Sequence, residues 1–198
     1  MKIDTKDILN SILDSLSRID YVKPENVPDI DLYMDQVTTF MNAELSSSKR
    51  YEDDKILTKT MINNYAKNHL LPPPLKKKYS REHMLLLIFI YYFKSILSIG
   101  DIQALLEPIT EKYFKNEKDF NLTSLYNEVF RLEKDQIQVL KENVRQNWET
   151  AQSTFADAPQ EDQEFLKQFS FICLLSFDVY LKKQVIEKLI DEIPKNRK

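Results

Sequence analysis

Glycine is nearly missing: Gly100 is the only one in 198 residues. Sheet proteins rely on glycine for the positive φ of their tight turns, so this scarcity argues against a hairpin-rich fold and excludes a glycine-rich phosphate loop. Cysteine is equally scarce. Cys173 stands alone, which rules out an intramolecular disulfide and a cysteine-based zinc site and leaves a small buried hydrophobe as its role. The two histidines, His69 and His83, have no carboxylate or thiol at metal-ligand spacing. Ser80 and His83 lie close together, but Ser80 is better explained as a helix cap than as a nucleophile. No catalytic constellation and no cofactor motif remains, and an enzyme is not expected. Long apolar runs are missing too. The longest, Met84 to Phe93, is about half of the ~20 residues that span a bilayer. The first helix-like stretch, MKIDTKDILNSILDSLS, carries acids where a signal peptide would be apolar, so a reduced cytoplasmic setting without membrane contact is expected.

What is present is helical. Hydrophobic residues make up 42% and charged residues 30% of the chain, a globular balance. Residues 5–19 place Ile8, Leu9, Ile12, Leu13, Leu16 and Ile19 on one helical face. Pro24 and Pro28 then break the chain. A second helix over about 31–46 shows Leu32, Val37, Phe40, Met41 and Leu45 at helical spacing, and SSSKRYEDD follows as a polar loop. The spacing predicts a long helix over about 122–155, a break at Pro159, and a last helix over about 161–193 whose centre, FSFICLLSFDVYL, is nearly apolar all round.

Charge is unevenly spread. Residues 1–54 carry −6, residues 55–83 carry +6 and residues 84–198 carry −3. A basic island in an acidic chain is an electrostatic footprint for a polyanion. Within it, a helix over about 56–67, capped by Asp54 or Thr58, buries Leu57, Met61, Ile62 and Tyr65. Lys59, Thr60, Asn63, Asn64 and Lys67 then face outward. Asparagine is a mediocre helix former, but its amide can bond adenine edges or phosphates. Asn68 or His69 ends this helix in a left-handed residue. Pro72-Pro73-Pro74 extends the chain, and Lys76, Lys77, Lys78 and Arg81 form a basic strip. Ser80 caps a buried helix from about Arg81 to Ile96. Ser98-Ile-Gly-Asp101 reads as a capping box opening a further helix that stops near Pro108.

The order Ile62, Tyr65, Leu70-Leu71-Pro72-Pro73, Lys78-Tyr79-Ser80 and Ser98-Ile99 with Ile102 is similar to the winged-helix DNA-binding domain of the MerR family. IDLYMDQVTTFMN and LTKTMINNYAKNHLLPPPLKKKYS also resemble an uncharacterised bacterial family known as domain of unknown function 1836, a likeness that brings no activity with it. The MerR resemblance implies an all-α chain with a winged helix-turn-helix domain over residues 1–108. A C-terminal helical hairpin over 109–198 would serve dimerisation or regulation. The chain departs from that pattern where Asn63-Asn64 replaces a DNA-contacting Arg-Tyr pair, where His69 replaces a glycine, and in its short wing.

Two functions follow as expectations. The first is a homodimeric DNA-binding transcription regulator. It would set Lys59, Thr60, Asn63, Asn64 and Lys67 toward the major groove, with Lys76, Lys77, Lys78 and Arg81 on phosphates. The second is a helical protein–protein adaptor on a degenerate winged-helix frame. Surface charge separates them: basic groups gathered beside the helix over 56–67 favour the regulator, and acids of the helix over 31–46 covering that face favour the adaptor.

Overall fold

The computed structural model describes residues 5–16, 21–116 and 118–193. Their elements are α1 (Thr5–Leu16), β1 (Leu32–Tyr33), α2 (Met34–Glu44), α3 (Lys59–Lys67), β2 (Lys78–Tyr79), α4 (Arg81–Phe93), α5 (Ile99–Tyr113), α6 (Leu122–Arg131), α7 (Glu133–Gln152) and α8 (Gln160–Asp191). The chain is thus mostly helical, as the glycine shortage implies, with one two-stranded antiparallel ribbon pairing Leu32 with Tyr79 and Tyr33 with Lys78. It divides into two compact units, one reaching Arg131 and the other spanning Leu132–Glu192.

In the first unit α4 is the centre. Met84 to Ile90 are all buried, because a helix apolar on every side has no face to give to water. Val37 and Met41 of α2, Ile62 and Tyr65 of α3, Ile102 and Leu106 of α5 and Leu122 and Tyr126 of α6 complete the core. The Tyr126 hydroxyl donates to the Val22 carbonyl at 2.6 Å, and its ring stacks on Phe130 with centroids 4.1 Å apart. Proline-rich residues 22–28 are therefore fastened to α6 from a distance in sequence.

Several boundaries differ from the sequence reading. In α1, Leu9 and Leu13 are buried, but Ile8 and Ile12 are exposed, so the apolar stripe is split; Ile19 lies outside the described residues. α3 starts at Lys59 rather than near 56, because Thr58 is its cap and accepts from Met61 N at 3.2 Å. Asp54 instead closes a turn, accepting from the amides of Arg50 and Tyr51. Ser98 and Asp101 do form the capping box, with Asp101 N donating to Ser98 Oγ at 3.1 Å and Ser98 N to Asp101 Oδ2 at 3.2 Å.

Pro108 does not stop the helix there: α5 runs through it to Tyr113, which also puts residues 109–131 with the first unit rather than beyond a boundary at 108. Proline lacks one amide donor. Packing on both sides compensates, through buried Ile102 and Leu106 before it and the Tyr113–Phe120 and Phe114–His83 ring contacts at 5.5 and 4.8 Å after it. The single helix expected over 122–155 is two, α6 and α7. No proline or glycine marks the break.

The second unit is a hairpin of α7 and α8. Val144, Ala151 and Phe171 are buried in it, and Trp148 meets Phe171 edge-on at 5.2 Å. At the turn, Ser153 and Thr154 hydroxyls donate to the carbonyls of Thr150 and Ala151, each at 2.7 Å. They satisfy acceptors that a helix end leaves open. None of the described helices is long and apolar enough to cross a membrane.

Candidate nucleic-acid interface

Four outward residues of α3, Thr60, Asn63, Asn64 and Lys67, are exposed and fall at i, i+3, i+4 and i+7, which sets them in one stripe along the helix. Ile62 and Tyr65 hold the opposite side in the core. A Schellman motif ends the helix. Leu70 N donates to Tyr65 O at 2.9 Å and His69 N to Ala66 O at 3.3 Å, with His69 in the left-handed region at φ 59°, the geometry that usually calls for glycine. Leu70 and Leu71 are then buried, and the prolines lead out to a short hairpin.

This hairpin, the wing that the MerR resemblance implies, has a two-residue loop. Leu75 N donates to Lys78 O at 3.1 Å and Lys78 N to Leu75 O at 2.9 Å. The two residues between, Lys76 and Lys77, have φ of 49° and 65°. Positive φ at both central positions is the signature of a type I′ turn, for which Asn-Gly is the favoured sequence. Two exposed lysines occupy the tip instead. Each non-glycine residue held there costs on the order of 1 kcal/mol.

Lys78 lies in β2 with its Nζ 5.2 Å from the centroid of the Tyr33 ring, and Lys59 at the start of α3 is ion-paired with Asp35. Tyr33 and Asp35 are two residues apart at the start of α2, so tertiary structure brings one end of α3 and the base of the wing to the same place. Lys67 is at the other end of α3, about 12 Å away along the helix axis. Asp35 is the only exposed acid on α2, and Glu44 accepts from Asn26 Nδ2 at 2.9 Å. Asp35 thus engages Lys59 and Glu44 engages Asn26, and both acids of α2 leave the Thr60–Lys67 stripe uncovered.

Arg81 departs from its expected place. Its guanidinium donates to the carbonyls of Val27 and, at 2.7 Å, Pro24. It clamps the proline segment to the start of α4, adding to the Val27 amide that the Pro24 carbonyl already accepts in its short 3-10 turn. Ser80 caps α4 with His83 as its reciprocal partner: Ser80 N donates to His83 Nδ1 at 2.9 Å. His83 is buried between Tyr79 and Phe114. Its Nε2 has no hydrogen-bond partner among the described residues. Burial pushes its pKa below the ordinary histidine value, against an opposing pull from the Pro73 carbonyl.

No group of three or more His, Cys, Asp or Glu side chains among the described residues could hold a metal. Tyr33, exposed beneath Lys78, was not marked by any sequence signal, since its role depends on strand pairing.

The family model described as Domain of unknown function (DUF1836) matches residues 22–129, more than half of the chain. The chain belongs to that family. The DUF1836 region begins at Val22, whose carbonyl accepts the Tyr126 hydroxyl, and ends at residue 129, three residues beyond Tyr126. It contains every residue of the stripe and the wing, and excludes the α7–α8 hairpin. Among curated proteins and among solved structures, nothing matches the chain.

Proposed function

We propose that this protein is a homodimeric DNA-binding transcription regulator whose first unit is a MerR-like winged helix-turn-helix. One observation carries the reading: a strained turn displays Lys76 and Lys77 at the tip of a wing whose base meets the start of an uncovered polar α3. Strain at an exposed position is kept where it serves function, and two cations on a short arm suit phosphates flanking a groove. α3 would enter the major groove with Asn63 and Asn64 toward base edges and Thr60 and Lys67 beside them. Lys59, Lys76, Lys77 and Lys78 would hold the backbone.

α8 supplies the reason for a dimer. Phe165, Phe169, Ile172 and Val179 lie at coiled-coil spacing and are all more than half exposed, Phe165 at 68%. A row of large exposed apolar side chains along one helix face marks an interaction surface. A second copy, related by two-fold symmetry, is the occupant that also matches a palindromic site.

The test is binding to mixed duplex fragments at two salt concentrations, wild type beside Lys76→Glu/Lys77→Glu/Lys78→Glu. Salt-sensitive binding that the triple variant loses supports the regulator. Folded protein that binds no duplex at low salt rejects it. The same apolar surface of α8 then favours the adaptor, with a different protein as its partner.

A further inference from the structure

Between the 48–56 loop and the C-terminal end of α4 lies a groove of about 380 Å³, within the range of small-ligand pockets. Three lysines, Lys49, Lys55 and Lys94, line it, against the single carboxylate of Asp54. Asp54 Oδ2 already accepts from two backbone amides. Tyr91 and Ser48 close one wall through a hydroxyl–hydroxyl bond.

Lys94 is the unusual member. Its stem is partly buried, its Nζ donates to the Ile56 carbonyl at 2.6 Å and stands 4.7 Å from the Tyr91 ring centroid. No ion pair joins it, Lys49 or Lys55 to a carboxylate among the described residues. A lysine ammonium has three donors, and one carbonyl satisfies one of them. Burial lowers its pKa, the direction expected of a cation lacking a counter-charge.

We propose that this groove is a binding site for a small phosphate-bearing molecule, with Lys94 at its floor and Lys49 and Lys55 at its rim. Lysine binds phosphate as a point charge, and three such charges around one small volume select an anion of two or more charges. The ligand would complete the donor set of Lys94 and stiffen the loop that leads into the Thr58 cap of α3.

The experiment is calorimetric titration of the full chain with inorganic pyrophosphate, with inorganic phosphate beside it. Wild type should bind pyrophosphate with millimolar or tighter affinity and phosphate more weakly. Lys94→Met keeps the stem and should lose about tenfold or more, the equivalent of one charge-assisted contact. Because Lys94→Met also removes a strut, Lys49→Gln/Lys55→Gln, a half-buried and an exposed side chain at the rim, provides a second variant whose loss of charge should weaken binding without unfolding. Lys76→Gln/Lys77→Gln, at the wing, should bind pyrophosphate as wild type does. Absence of binding up to about 10 mM, unchanged affinity in Lys49→Gln/Lys55→Gln, or loss confined to the wing variant would each overturn the site. None of these outcomes depends on whether duplex DNA is bound.

Discussion

Replacing the wing tip with its preferred turn sequence, Lys76→Asn/Lys77→Gly, should stabilise the protein and weaken its binding to DNA. Both residues sit in the left-handed region, at φ 49° and 65°, where a Cβ crowds the following carbonyl by roughly 1–2 kcal/mol. Glycine at 77 removes that cost, and asparagine at 76 reduces it. Glycine also has a more disordered unfolded state, which takes back about 0.5–1 kcal/mol. The net gain is about 1 kcal/mol, or a rise in melting temperature of roughly 3–5 °C for a unit of this size. The side chains themselves contribute no ion pair to the fold among the described residues, so their removal costs no folded-state contact. If both lysines touch phosphate, the slope of log affinity against log salt should flatten by about 1.8, at ~0.9 per contact. Thermal unfolding by far-ultraviolet circular dichroism and a salt series of duplex binding read the two halves. A variant of unchanged or lower stability refutes stored strain at the tip. A variant that is more stable yet binds DNA with an unaltered salt slope refutes the phosphate role.

Lowering pH should destabilise the protein through His83, which the fold holds neutral. Its folded pKa lies below the unfolded one, so the unfolded state binds the proton first and stability falls as pH drops through about 6.5, by at most ~1.4 kcal/mol per pH unit. His83→Gln keeps an acceptor for Ser80 N and should flatten that slope in melts from neutral to mildly acidic pH; parallel slopes would show that His83 is not the group responsible. Gly100→Ala should stabilise by about 0.5–1 kcal/mol, since an added Cβ meets only Ser98 Oγ at 3.8 Å, and a denaturant midpoint that moves down would contradict an open helical site there. Phe165→Asp/Ile172→Asp should convert a dimer to a monomer in sedimentation without altering helix content, because both side chains are already exposed; a wild type that is monomeric at every concentration counts against α8 as the contact between copies.

Much of the first unit could be read locally. Met84 to Ile90 were recognisable as a buried helix because nothing polar interrupts them. Ser98 with Asp101 was recognisable because a capping box needs only four consecutive residues. The left-handed end of α3 was legible in Asn68-His69 ahead of two leucines. Each of these signals lies within a turn or two of chain. The outward stripe of α3 is of the same kind: once Ile62 and Tyr65 face the core, helical geometry assigns Thr60, Asn63, Asn64 and Lys67 to the other side.

The rest depended on partners far away in the chain. Arg81 looked like a free cation in a basic strip, but Pro24 and Val27, more than fifty residues upstream, take its donors. No local signal marks Lys94, yet the Ile56 carbonyl fixes it over a groove. Pro108 should have ended α5, and the packing of residues on both sides kept the helix whole. The glycine shortage foretold helices correctly, but not that Lys76, Lys77, Lys115 and Phe155 would adopt positive φ as well as His69. Composition and periodicity decide which segments become helices and which face is apolar, because both are set by near neighbours and by burial as such. Which cation is a strut, which is exposed and which lines a groove is decided only by chain closure, because a charge acquires its role from the groups that long-range packing sets within about 3–4 Å of it.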